Sequence, residues 1–123
     1  MIPLIAALVS VALQATPVVG FPATPQGRQV EAFVKAIHTG EAAFVAFQAD
    51  HMLPARTEEQ RKTMFARIRK EFGDYTVLAV LSASAEQVTI AVKHPAGMNA
   101  SFAFSFEKAA PYRIIDMNVQ VTQ

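Results

Sequence analysis

The residues of this chain with chemistry beyond packing are few, and two groups of them invite a catalytic reading. His38, Asp50 and His51 bracket the apolar stretch in HTGEAAFVAFQADHMLP, residues 38–54. An acid beside an imidazole can move a proton, and two imidazoles with a carboxylate can begin a metal site. The spacing argues against both. His38 falls in the last turn of a predicted helix, just before Thr39-Gly40. The helix dipole favours a histidine there, and its ring can bond the free carbonyls. Asp50 and His51 are adjacent on a second short helix, so their side chains diverge by about 100°. His94, in a predicted turn, is the remaining histidine, and no metal or other cofactor is expected. Ser105-Phe106-Glu107-Lys108 matches S-x-x-K, but that hydrolase motif needs a helical turn and two further partner motifs. Here it sits at the end of a predicted strand without them. No G-x-S-x-G, P-loop or G-x-G-x-x-G occurs, and the sequon Asn99-Ala100-Ser101 lies inside a predicted strand.

Composition narrows the classes further. At 123 residues the chain holds one domain, and 52% apolar against 17% charged residues is a folding composition. Eleven basic and ten acidic side chains leave a formal charge of +1, which gives no electrostatic reason for nucleic acid as a partner. With no cysteine there is no disulfide, thiolate nucleophile or sulfur-ligated metal. No charged side chain precedes Arg28, and Leu4 to Leu13 (LIAALVSVAL) has the length of a signal-peptide core. It is shorter than the roughly 20 residues that span a bilayer. Residues 1–20 are therefore expected to be a secretory signal cleaved near Val18-Val19-Gly20, although Met1-Ile2-Pro3 lacks the usual basic residue. The mature domain, 21–123, is expected to be periplasmic or secreted, with no membrane span once the signal is removed.

The elements that position these residues follow from period. Thr24-Pro25 opens a helix whose Val30, Phe33, Val34 and Ile37 make one apolar face, and Gly40 stops it. Ala42 to Leu53 reads as a second helix ended by Pro54. Thr57-Glu58-Glu59-Gln60 is a capping box for a third, with Met64, Phe65, Ile68 and Phe72 as its stripe and Gly73 as its end. The period then changes to 2. Tyr75 to Ser82 is a largely apolar strand; Val88, Ile90 and Val92 mark a second; Met98 to Phe106 is the clearest; Ile115, Met117, Val119 and Val121 mark the last. Three helices followed by four strands with short connections predict an α+β domain, an antiparallel sheet with helices on one face and water on the other.

That order, with FVKAIHTGEAAFVAF (33–47), FGDYTVLAV (72–80) and PYRIIDMNVQV (111–121), resembles the nuclear transport factor 2-like (SnoaL-like) superfamily. The resemblance covers about residues 24–121. It is similar to a small module that precedes tail-specific peptidase or β-lactamase-like serine hydrolase domains in secreted bacterial proteins. It implies a curved sheet wrapping the helices into a cone, and a module that is free-standing or a fragment. Catalytic members place an acid or acid–base pair inside the cone. Here the expected inward sheet positions, from Val88 to Val119, are all apolar, and Asp116 alternates outward. Such an interior is poorly equipped for proton transfer.

The expected function is a non-catalytic binding or accessory module. It would hold a small apolar ligand lined by Phe47, His51, Tyr75, Met98 and Phe102, or a partner protein. The alternative is an isomerase- or cyclase-like enzyme using Tyr75, Asp50 or His51 at the mouth of the cone. The resemblance also implies pairing through the outer sheet face, either as a homodimer or with a hydrolase. Ser101, Asp116 and Asn118 are the expected interface residues.

Overall fold

Helix α1 (Pro25–Thr39) starts where the Thr24 side chain accepts from the Gly27 amide at 3.0 Å and Pro25 fills a position that needs no N–H. In this computed structural model, which describes residues 20–122, α1 is followed by α2 (Glu41–His51) and α3 (Glu58–Phe72). Gly40, at φ 142°, ends α1 and begins α2. That backbone suits glycine. The capping box at Thr57 forms as expected: Thr57 accepts from the Gln60 amide, and Gln60 accepts from the Thr57 amide. The apolar segment Leu4 to Leu13 lies outside the described residues.

The strands β1 (Thr76–Ala83), β2 (Gln87–Lys93), β3 (Asn99–Phe106) and β4 (Ile114–Thr122) form one open antiparallel sheet in chain order. Three helices pack on one of its faces, the α+β class expected from the sequence. Val88, Ile90, Val92, Phe102, Phe104 and Phe106 line that face and are buried. Phe33 of α1 joins the layers, with its ring 4.9 Å from Phe104, 5.2 Å from Phe44 and 5.9 Å from Phe47. Edge-to-face contacts of this kind stabilise beyond the area they bury. Two buried glutamines fasten the helices: Gln26 donates to the Ala85 carbonyl, and Gln48 to that of Arg61. The β3–β4 connection is pinned by Arg113, whose guanidinium donates to both Glu107 carboxylate oxygens at 2.9 and 3.0 Å.

Two boundaries differ from expectation. α2 ends at His51, short of Leu53, because Met52 turns extended, bridges Ile114 of β4, and is followed by a Leu53 amide bond to the Ile114 carbonyl at 2.8 Å. Pairing with an edge strand wins over one more helical turn. Ile115, expected inward, is 45% exposed, while Ile114 is fully buried. The register shifts between Ser105 and Phe106, so the alternation restarts there. Met117 and Val119 regain the inner face opposite Phe104 and Phe102, but only half-buried. β1 carries two similar shifts, which leave Leu78 and Leu81 exposed.

Candidate functional site

β4 is an edge strand, and the helices cover its inner face incompletely. Between α3 and β4 this leaves a cleft of about 340 Å³. Its floor is apolar: Met52, Met64, Ile68, Phe72, Met117 and Val119. Its rim is charged, with Arg56, Arg67, Glu71 and Asp116. Arg67 and Glu71 are both exposed and approach to 3.9 Å along one helix face. Arg56 differs. Its Nη1 is buried and has no hydrogen-bond partner, while its own carbonyl accepts from Arg61 Nε. Arg56, Met64 and Arg67 also border a shallower hollow beside the cleft.

The residues expected to line a ligand site are not brought together there. Tyr75 does not stand at a mouth: it is 2% exposed, its ring 5.4 Å from Phe102 and 4.8 Å from His38. The Tyr75 hydroxyl has no partner. Burial pushes its phenol above the usual tyrosine range, with the Arg69 charge pulling weakly the other way. Phe102 is fully buried against Phe72 and Phe104. Phe47 is buried near Phe33, and His51 stacks on it at 4.9 Å, with Asp50 exposed. Met98, half-buried, packs against the core away from the cleft. Tyr75, Asp50 and His51 therefore form no acid–base group.

His38 does what its position suggested. Nδ1 lies 2.8 Å from the Val34 carbonyl and Nε2 2.7 Å from that of Tyr75, so it closes the end of α1 and ties it to the start of β1. Asp74 Oδ1 stands 3.7 Å from the same Nε2. His94 Nδ1 accepts from the Ala96 amide inside its turn. Ser101, Asn118 and Asp116 occupy the outer sheet face, paired with Gln120, Ala103 and Ser105 respectively. Asp116 also reaches the rim of the cleft.

Sequence reasoning missed Met52, Arg56, Leu53 and the joint role of Met64 with Met117. The sequence carried only a partial signal, methionine on two predicted apolar faces at Met64 and Met117, since flexible thioethers line adaptable surfaces. Among the described residues, no group of three or more His, Asp or Glu is placed to hold a metal, and no helix is long and apolar enough to cross a membrane. No family model, curated protein or solved structure matches the chain.

Proposed function

We propose that this chain is a non-catalytic binding module of nuclear transport factor 2-like type that takes a small apolar ligand in the cleft between α3 and β4. The observation that carries this reading is the cleft lining, in which eight of the twelve side chains are apolar. Pockets of about 300–1,000 Å³ with a few polar groups at the edge suit small ligands. The enzyme alternative asks for a positioned proton donor or acceptor beside the ligand. The carboxylates here, Glu71 and Asp116, are exposed at the rim, and Tyr75 lies in the core. The segment Leu4 to Leu13 supports export as the setting.

Native mass spectrometry of the protein purified without denaturant tests the reading. The wild type should retain a small apolar molecule, and Met117→Trp, which fills the cleft, should lose it. A wild type with the mass of the bare polypeptide, and no uptake of added apolar compounds, would speak against it.

A second reading, docking of another copy or of a hydrolase on the outer sheet face, is favoured by a separate observation. Ala91, Ser101, Ala103 and Ser105 make the centre of that face small and uncharged, beside exposed Leu78 and Leu81.

A further inference from the structure

A guanidinium stays charged at any physiological pH, and a buried donor on it left without an acceptor is costly. Arg56 carries such a donor at the edge of the apolar cleft. The other cation of the rim, Arg67, is exposed and has Glu71 3.9 Å away as a partner. Among the described residues no carboxylate forms an ion pair with Arg56, although Asp116 lines the same cleft. The molecule thus sets a cation with no ion-pair partner among the described residues, one of its donors buried without an acceptor, beside the apolar side chains of the cleft.

We infer that the ligand of this cleft is an amphipathic monocarboxylate, a fatty-acid-like molecule, with its carboxylate on the Arg56 guanidinium and its chain over Met64, Ile68, Met117 and Val119. This rests on the apolar-ligand reading above and adds the headgroup to it. A carboxylate matches the planar guanidinium fork with two parallel hydrogen bonds and gives the unpaired Arg56 a counter-charge. Glu71 and Asp116 on the rim repel a multiply charged anion such as phosphate more strongly than a single carboxylate. The thioether side chains of the floor can adjust to the chain that lies on them.

The test is methyl NMR of the full chain labelled at methionine, titrated with decanoate and with decanol. Met52, Met64 and Met117 line the cleft, and Met98 does not. The three cleft signals should move while Met98 holds still. Decanoate should bind about tenfold or more tighter than decanol, the scale of one charge-assisted hydrogen bond. Arg56→Met keeps the apolar stem and should reduce decanoate to the level of decanol without weakening decanol. Arg56→Lys should retain part of the preference. Equal binding of acid and alcohol by the wild type would overturn the carboxylate and leave the apolar-ligand reading standing. Binding of neither would remove both. Should Arg56→Met fail to fold, the comparison of acid and alcohol on the wild type decides alone. Displacement of decanoate by inorganic phosphate would overturn the choice of a monocarboxylate.

Discussion

The Tyr75 ring is enclosed by Phe102 and His38, yet its hydroxyl has no hydrogen-bond partner. A buried hydroxyl in that condition costs about 1–3 kcal/mol, so Tyr75→Phe should stabilise the protein by up to about that amount at neutral pH. The same burial raises the phenol above its usual value. A raised folded-state pKa contributes stability that is present below the unfolded value of about 10 and is lost as pH rises beyond it. Urea midpoints of the wild type should therefore fall above about pH 10, and Tyr75→Phe should flatten the fall. Tyr112→Phe, at a half-buried position, serves as the comparison. An alkaline slope that Tyr75→Phe leaves unchanged would refute this account. The sequence placed Tyr75 at the mouth because it begins a strand. It could not show that the end of α1, with His38, closes over that end of the sheet.

Each strand position is read against its neighbours, and β3 gives the sharpest case. Phe102 is fully buried against Phe72, Tyr75 and Phe104, while Ser101 faces the other side, opposite Gln120. Phe102→Ala should cost about 3–5 kcal/mol, and Ser101→Ala within roughly 0.5 kcal/mol, measured by urea melts. Equal stability of the two variants would mean the face assignment is wrong. The helix caps at Thr24 and Thr57 and the alternation of β2 and β3 were legible because each depends on residues close in sequence. The shifts at Leu78, Leu81 and Ile115 were not. An extra residue resets the alternation after it, and where it falls is decided by the partner strand. The cleft was illegible for a related reason. Met64 and Met117 each sit on a predicted apolar face, but the gap between them depends on how far α3 covers β4.

At the scale of the whole molecule, the outer sheet face decides whether this chain acts alone. Its central rows run Ala91, Ser101, Gln120 and Thr89, Ala103, Asn118. Its charges sit toward the ends, Lys93 on β2 and Asp116 on β4. Leu78 and Leu81 add apolar surface on the edge strand β1, at 49% and 59% exposure. Interface centres are depleted in charge, and a net charge of +1 sets up little repulsion between copies. The face has no aromatic anchor, so the expected association is weak. Two-fold pairing would bring Ser101 and Asn118 near their symmetry mates. Lysine at both positions, Ser101→Lys with Asn118→Lys, should leave the urea midpoint of the monomer nearly unchanged, because both side chains remain in water on the isolated chain. In a dimer the same lysines would be buried against like charges, and association should vanish. Sedimentation of the wild type should show a concentration-dependent dimer that the double variant lacks. A wild type that stays monomeric at high concentration and recovers no partner in a pull-down would leave the face an ordinary solvated surface.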